Sequence, residues 1–91
     1  MINADESWRV YLAKCADGSM YCGISKDVPA RIEKHNAGKG AKYTRSRRPL
    51  EVVAESSKMS KSDALKLEAY VKKQPASEKT AALLEKGGKG T

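Results

Sequence analysis

The sequence predicts one small domain of mixed strand and helix, with its elements in the order β-β-α-β-α-α. Its 91 residues fit a single domain. Three segments alternate apolar and polar residues as strands do, and three others carry helix start and stop signals. No stretch approaches the ~20 consecutive apolar residues of a membrane span, so we expect no membrane association. We expect residues 1–86 to form the domain and residues 87–91 to form a flexible tail.

The first two strands form a predicted hairpin. Residues 8–14 and 20–24 alternate, and an Asp-Gly pair lies between them. A two-residue turn would point the apolar side chains of the two strands to opposite faces of the hairpin. A three-residue loop with a left-handed Gly18 places them on the same face, and we therefore expect this register.

This register brings two tyrosines together on the face away from the predicted core. Gly23 then faces Tyr11, and Tyr21 faces Ala13, so the two phenol rings are diagonal neighbours. Gly23 leaves open the space beside Tyr11 that a side chain would fill. Two tyrosines and a glycine on a face not needed for packing indicate a functional site.

The two cysteines lie on opposite faces in the same register. Cys15 shares the tyrosine face and Cys22 the apolar face, so a disulfide between them is not expected. Two cysteines also cannot hold a secreted scaffold together. Free thiols predict a cytoplasmic protein.

The first helix and the third strand follow from their boundary residues. Asp27 is a suitable N-cap and Gly38 a suitable stop for a helix over residues 28–37. After a basic segment at residues 39–48, residues 50–55 alternate between apolar and polar side chains. The apolar side chains at positions 50, 52 and 54 are expected on one face.

Two further helices complete the chain. Ser60, with Asp63 three residues later, resembles a capping box and starts a helix over residues 61–73. Ser77 is expected to cap a short last helix that ends before Gly87.

The net charge of +7 is concentrated in one part of the chain. Residues 31–49 contain seven cations and one acid, which leaves the rest almost neutral. Such a patch is typical of a protein that binds the phosphate backbone of nucleic acid, although a solvated loop that serves solubility is the alternative. Glycines and a tyrosine among the charges favour nucleic acid. The candidate binding residues are Lys39, Lys42, Tyr43, Arg45, Arg47 and Arg48.

Two single residues are candidates for chemistry. Glu68 falls in the apolar stripe of the helix over residues 61–73, where an acid must meet a cation, a metal or a cleft. We interpret it as a metal ligand, and a buried salt bridge to Arg31 is the alternative. His35 is the only histidine and lies one helical turn from Arg31. It is either a structural or a catalytic residue.

The order of these residues resembles the GIY-YIG nuclease superfamily. The resemblance rests on Arg9-Val10-Tyr11, on Tyr21-Cys22-Gly23, and on the later Arg31, His35 and Glu68. Residues 35–45 are similar to the small stand-alone bacterial branch of that superfamily.

The resemblance implies an α+β domain with a three-stranded antiparallel sheet flanked by helices. It also implies hydrolysis of DNA phosphodiesters with Mg²⁺ or Mn²⁺. By this resemblance Glu68 holds the metal and Arg31 lies beside the scissile phosphate. Of Tyr11 and Tyr21, one activates the attacking water and the other completes the site, while His35 assists. Gly23 is a structural residue of the same site.

We therefore predict a metal-dependent DNA endonuclease that acts in DNA repair or processing and selects DNA structure rather than base sequence. The alternative is a binding module for DNA or RNA on the same scaffold, with weak catalysis or none. Two departures from the superfamily favour this alternative: Ile24 stands where some members carry a lysine, and no asparagine follows Asn36.

Overall fold

The computed structural model describes residues 6–88, which form a three-stranded antiparallel sheet with helices on both faces. The strands lie in the order β2-β1-β3, so that β2 and β3 are both edges. The predicted α+β class and the order β-β-α-β-α-α are confirmed, and a short helix inside the basic segment is additional. The elements are β1 (Arg9–Lys14), β2 (Met20–Ser25), α1 (Val28–Asn36), α2 (Lys42–Arg45), β3 (Glu51–Glu55), α3 (Lys61–Lys72), a 3₁₀ turn (Ala76–Glu78) and α4 (Lys79–Gly87).

The hairpin of β1 and β2 adopts the predicted register. Tyr11 pairs with Gly23, and Ala13 pairs with Tyr21. Gly18 has a φ of +86°, which L side chains rarely adopt, and therefore closes the turn as a left-handed residue. The two tyrosines consequently share one face of the sheet.

Each face of the sheet carries its own core, and this corrects the expectation that the tyrosine face is not needed for packing. One core lies between the sheet and α3 and α4, and it contains Val10, Leu12, Cys22, Ala54, Ala64, Leu67, Val71 and Leu83. The other lies between the sheet and α1, and it contains Tyr11, Ala13, Cys15, Val28 and Leu50. Both cysteines are free and buried, one in each core, as the register predicts.

A bulge divides β3 between the two cores. Leu12 pairs with Ala54, but its neighbour Ala13 pairs with Val52, so Val53 has no partner in the register and is 43% exposed. The extra residue reverses the alternation of side chains. Positions 50 and 52 therefore pack on the tyrosine face and position 54 on the opposite face. The prediction that they share one face is wrong.

Side-chain caps fix the starts of α1 and α3 as expected. Asp27 Oδ1 accepts the N–H of Ala30 at 3.1 Å, and Ser60 Oγ accepts the N–H of Asp63 at 3.1 Å. Gly38 follows α1 with a φ of +83°, the left-handed conformation that ends many helices.

The last helix begins differently from the prediction. Ser77 lies inside the 3₁₀ turn and does not cap α4, whose N-cap residue is Glu78 without a side-chain hydrogen bond. Instead, Lys79 Nζ donates to the carbonyls of Val71 at 3.1 Å and Lys72 at 2.9 Å. The start of α4 is thus tied to the end of α3, where carbonyl groups have no partner within the helix.

The α4 helix extends one residue into the segment predicted to be a tail. Gly87 is its last residue and is buried, and Gly88 follows as the C-cap. The rest of the predicted tail, residues 89–91, lies outside the described residues. No helix between residues 6 and 88 is long and apolar enough to cross a membrane.

Candidate active site

A buried hydrogen bond between Tyr11 and His35 lies at the centre of the site. Strand β1 directs Tyr11 into the core under α1, where it is 1% exposed, and α1 brings His35 to it fully buried. The Tyr11 hydroxyl lies 3.0 Å from His35 Nε2. Gly23 provides the space on β2, because a Cβ there would lie 2.7 Å from the same hydroxyl. The role assigned to Gly23 thus has a steric basis.

The direction of this hydrogen bond follows from a third residue, Thr44 on α2. His35 Nδ1 lies 2.8 Å from Thr44 Oγ1, and that hydroxyl donates to the carbonyl of Ala41 at 2.8 Å. Since a threonine hydroxyl has a single hydrogen, Thr44 Oγ1 must accept from Nδ1–H. Neutral His35 therefore carries its proton on Nδ1, and its Nε2 accepts the proton of Tyr11.

Both partners of the central hydrogen bond are neutral near pH 7. Burial raises the pKa of Tyr11 to about 12, with a further increase from Tyr21 and a partial offset from Arg31. Burial also lowers the pKa of His35 below its usual value of 6.5, and the charge of Arg31 adds to this effect. The Tyr11 hydroxyl therefore has a proton to donate, and His35 Nε2 has the lone pair that accepts it.

Arg31 lies on α1 one turn before His35, as its spacing predicts. It is half-buried and close enough to Tyr11 for a side-chain hydrogen bond that lowers the pKa of Tyr11. Its guanidinium is thus the positive charge next to the tyrosine hydroxyl. A phosphate that approaches this hydroxyl meets Arg31 as well.

Tyr21 connects the buried pair to an open cleft at the β2 edge. Its ring lies 5.0 Å from the His35 ring and 6.2 Å from the Tyr11 ring, between centroids. Tyr43 of α2 stacks on Tyr21 at 6.1 Å, with 24° between the ring planes. The cleft has a volume of about 340 Å³ and is lined by Met20, Tyr21, Cys22, Tyr43, Lys72 and Lys79. Tyr11 itself is only 1% exposed, so Tyr21 and Tyr43 form the open side of the cluster.

Glu68 forms an ion pair with Lys72, a residue that lines this cleft. It is on α3, which packs against the face of the sheet that carries Cys22, and its carboxylate helps burial to raise the pKa of that thiol to about 12. Glu68 Oε2 pairs with Lys72 Nζ at 3.3 Å, with the Glu68 side chain 19% exposed. The salt bridge weighed as an alternative to a metal site therefore exists, but its partner is Lys72 and not Arg31.

Glu68 can be compared with the way in which proteins bind divalent ions. In the part of the chain that the structure describes, no three His, Cys, Asp or Glu residues cluster to form a protein cage for a metal. Mg²⁺ does not require such a cage, because it commonly keeps several waters and binds one or two carboxylates together with substrate phosphates. The partly exposed Glu68 carboxylate suits that mode, and its partner Lys72 lines the cleft at the β2 edge.

The five cations among the candidate nucleic-acid residues divide into two groups by their contacts within the chain. Arg47 pairs with Asp17 at 3.0 Å, donates to the carbonyl of Tyr43 at 2.8 Å and lies 4.0 Å above the Tyr43 ring. Arg48 donates to the carbonyls of Arg45 at 2.9 Å and Asn36 at 3.3 Å. These two arginines order the segment. The side chains of Lys39, Lys42 and Arg45 are exposed.

Two residues that hold His35 were not among the candidate site residues predicted from the sequence. Thr44 fixes its tautomer, and Gly40 lets the loop approach it, because a Cβ at Gly40 would overlap the imidazole ring. Helix α2 is too short for periodicity to reveal it. Both residues lie within residues 35–45, the run that resembles the small stand-alone branch of the superfamily. That resemblance was the sequence signal that could have identified them.

Comparison with known proteins identifies the class. A family model of the GIY-YIG catalytic domain matches residues 7–81. The chain therefore belongs to the GIY-YIG family, which is a nuclease family.

Within this family the chain is similar to small proteins called UPF0213. One from Cupriavidus pinatubonensis is 46% identical over 80 residues, covering 88% of this chain and 89% of the relative. One from Staphylococcus aureus strain N315 is 47% identical over 81 residues, covering 89% and 99%. The solution NMR structure of a UPF0213 protein from Bacillus halodurans is 44% identical, with a TM-score of 0.51 and coverage of 89% and 86%. The names of these relatives state no activity.

Proposed function

We propose that this protein is a metal-dependent endonuclease that hydrolyses DNA phosphodiester bonds. The observation that carries the proposal is the hydrogen-bonded chain from Tyr11 through His35 to Thr44, beside the guanidinium of Arg31. A buried tyrosine with an oriented proton acceptor is more than packing needs. Together with a neighbouring cation it provides the two functions that phosphodiester hydrolysis requires, which are activation of water and charge stabilisation.

Tyr11 is the proposed base, because its proton has a defined acceptor. As water attacks phosphorus, it gives a proton to the Tyr11 oxygen, and Tyr11 passes its own proton to His35 Nε2. The imidazolium that forms keeps its Nδ1–H bonded to Thr44. Arg31 stabilises the negative charge that develops on the phosphoryl oxygens. Tyr21, which lines the cleft, orients the substrate beside Tyr11.

Glu68 is the proposed ligand of the divalent ion, Mg²⁺ or Mn²⁺. When bound, such an ion neutralises charge on the phosphate and assists the leaving oxygen. Glu68 must exchange Lys72 for the metal, because the two side chains are paired in the structure. The carboxylate is only partly buried, which makes this exchange feasible.

Exposed cations of the basic segment are the proposed DNA contacts, and contacts to phosphates carry no sequence information by themselves. In so small a domain, we propose that branches, flaps or nicks are recognised by shape, as suits DNA repair or processing. Two free cysteines are compatible with the proposed cytoplasmic location.

A single-turnover cleavage assay tests the proposal. Duplex, nicked, flapped and branched DNA and matched RNA are incubated with Mg²⁺, Mn²⁺ or EDTA. We expect metal-dependent cutting of a branched or flapped DNA. Tyr11→Phe should reduce the rate at least ~100-fold, because it removes the proton-transferring oxygen. Tyr70→Phe, a change at a 39% exposed tyrosine on α3, is the matched control and should cut normally.

A nucleic-acid-binding module with weak catalysis is the second candidate. It is favoured by the 1% exposure of Tyr11 and by the pairing of Glu68 with Lys72, since both close the site in the structure. Binding without cutting on every substrate would support it. Equal cutting by the wild type and Tyr11→Phe would contradict Tyr11 as the base, and equal cutting by Glu68→Ala would indicate a contaminating nuclease.

A further inference from the structure

A second cleft lies next to the candidate active site, on the other side of Arg31. It has a volume of about 320 Å³ and is formed where β1 begins, β2 ends and α1 starts. Its lining includes Trp8, Ile24, Lys26, Arg31 and Lys34. Because Arg31 also lies beside Tyr11, the cleft adjoins the proposed site of cleavage.

The charge of this cleft suits a phosphate backbone. Among the described residues that line the cleft, Lys26, Arg31 and Lys34 are the cations and Asp27 is the acid, and the Asp27 carboxylate already accepts the Ala30 N–H as the cap of α1. Lys26 lies outside the basic patch of residues 31–49, and Lys34 lies within that patch but before the candidate binding residues at 39–48. The cleft is therefore a second basic surface, separated in the chain from residues 39–48.

The wall of the cleft is an aromatic ring in a fixed position. The backbone of Trp8 forms two hydrogen bonds with Met59, of 3.0 and 2.8 Å, and its side chain packs partly against the core. The ammonium groups of Lys26 and Lys61 lie 5.5 and 5.1 Å from the centroid of its ring. Both lysines are exposed, and contacts of this kind with an aromatic ring are weak at a surface. A nucleic-acid base can replace them, while the lysines turn to its phosphates.

We propose that this cleft binds an unpaired nucleotide next to the scissile phosphate. The base stacks on Trp8, and Lys26 and Lys34 contact the flanking phosphates. The inference rests on the proposed nuclease function and makes its substrate more specific. A base within a continuous duplex has no exposed ring face to offer, so the cleft selects nucleic acid with a single-stranded segment at the cleavage point.

The tryptophan itself reports on the proposal, because Trp8 is the only one in the sequence. The full chain, in EDTA to prevent cutting, is titrated with a fluorescein-labelled oligothymidylate of twelve nucleotides. Anisotropy of the label follows binding, and indole fluorescence, read on the unlabelled oligonucleotide, follows stacking. We expect quenching of Trp8 with the same midpoint as the anisotropy change. An abasic oligonucleotide of equal length has the phosphates without the bases and should bind without quenching.

Single substitutions distinguish binding in the cleft from non-specific electrostatic binding. Lys34→Ala should weaken oligothymidylate binding about threefold to tenfold and reduce the salt slope by about 0.7, the value for one contact to a single strand. The matched control Lys66→Ala, at an exposed position on α3, should change binding less than twofold. Trp8→Leu, with folding checked by circular dichroism, should lose the preference for single strands while duplex binding is retained. Oligouridylate replaces oligothymidylate in one series, and comparison of the two affinities shows whether DNA or RNA is preferred.

The outcomes distinguish this inference from the function on which it rests. Binding of DNA without any change in Trp8 fluorescence overturns the cleft and leaves the nuclease proposal intact. Quenching by the abasic oligonucleotide shows that bases do not stack on Trp8, and it also overturns the cleft. No anisotropy change with any DNA contradicts the nuclease proposal and the cleft together.

Discussion

The single histidine determines how the candidate site responds to pH. Burial and Arg31 lower the pKa of His35 below 6.5, so its Nε2 is available to accept a proton at neutral pH. When the pH falls through that pKa, His35 becomes charged and can no longer accept the proton of Tyr11. Cleavage should therefore be constant above about pH 6.5 and fall up to tenfold per pH unit below the lowered pKa. Because the pKa of Tyr11 is raised to about 12, its ionisation should not change the rate up to about pH 10.

A pH–rate profile and an NMR titration of His35 check this expectation together. The midpoints of the two curves should coincide below 6.5. Stability should follow the same direction: the unfolded chain binds more protons in this window, so the free energy of unfolding decreases as the pH falls from 6.5 through the lowered pKa. A rate that is insensitive to pH down to the unfolding transition would remove His35 from the reaction.

Thr44 determines which nitrogen of His35 carries the proton. Thr44→Val keeps the shape but removes the acceptor for Nδ1–H, so the tautomer preference should weaken and cleavage should decrease about tenfold or more. Thr44→Ser retains a hydroxyl and should restore both. With one histidine in the chain, the ¹⁵N chemical shifts of the ring report the tautomer without ambiguity. An unchanged Nδ1–H tautomer in Thr44→Val would contradict this role.

At the scale of elements, α3 contributes the Glu68 carboxylate. This carboxylate either binds the metal or serves the fold through its ion pair with Lys72. If Glu68 binds the metal, Glu68→Gln should reduce metal-dependent cleavage at least ~100-fold with little loss of stability, since a partly exposed i,i+4 pair contributes about 0.3–0.5 kcal/mol. Lys72→Met breaks the same pair but leaves the carboxylate available, so cleavage should need less Mg²⁺. Metal titrations of the rate and urea unfolding measure the two effects. Equal losses of activity in both variants would show that the ion pair itself is what the fold needs.

The hairpin was the most predictable element because several local constraints agree. A left-handed Gly18 and two alternating strands permit one register that keeps the apolar side chains together, and it is the observed one. That register alone placed Tyr11, Tyr21 and Gly23 beside one another, although the face that they share proved to be a second core. The position of Arg31 followed from helical periodicity in the same way.

The features that could not be predicted depend on tertiary contacts. The bulge at Val53 follows from two cores that β3 serves at once, whereas its sequence alternates without interruption. Helix α2 has four residues, and packing of Thr44 against His35 is its visible role. Ser77 was a plausible cap, but Lys79 joins α3 and α4 instead. The identity of the Glu68 partner also needed the structure, because Arg31 and Lys72 were both compatible with the sequence.

At the scale of the whole molecule, the sheet separates two kinds of surface. Helix α1 covers the tyrosine face and, with the basic segment, surrounds the candidate site with cations, while α3 and α4 stabilise the opposite face. The surface has one cleft at the β2 edge and another beside Trp8. A strand of nucleic acid that passes over Arg31 would contact both.

The cations of the basic segment have different contacts, and the salt dependence of DNA binding should show this difference. Counting Arg45, Arg47 and Arg48 as equivalent phosphate contacts would give a change in slope of about three when all are removed. The structure makes them unequal. The Arg45 guanidinium is exposed and makes no hydrogen bond within residues 6–88, whereas Arg48 donates to two carbonyls and lies against Gly38. Arg45→Ala should therefore reduce the slope of log affinity against log salt by about 0.9 and leave stability unchanged.

Arg48→Ala should behave in the opposite way, with a loss of about 1 kcal/mol in the free energy of unfolding, since its bonds to the Arg45 and Asn36 carbonyls are partly exposed to water. Anisotropy titrations of labelled DNA at several salt concentrations and urea unfolding provide the two readouts, with Lys66→Ala as the reference for loss of one distant charge. If Arg45→Ala leaves the slope unchanged, its side chain faces away from the DNA. If Arg48→Ala changes only the slope, the segment does not need Arg48 for its shape, and its internal hydrogen bonds give way to phosphate contacts in the complex.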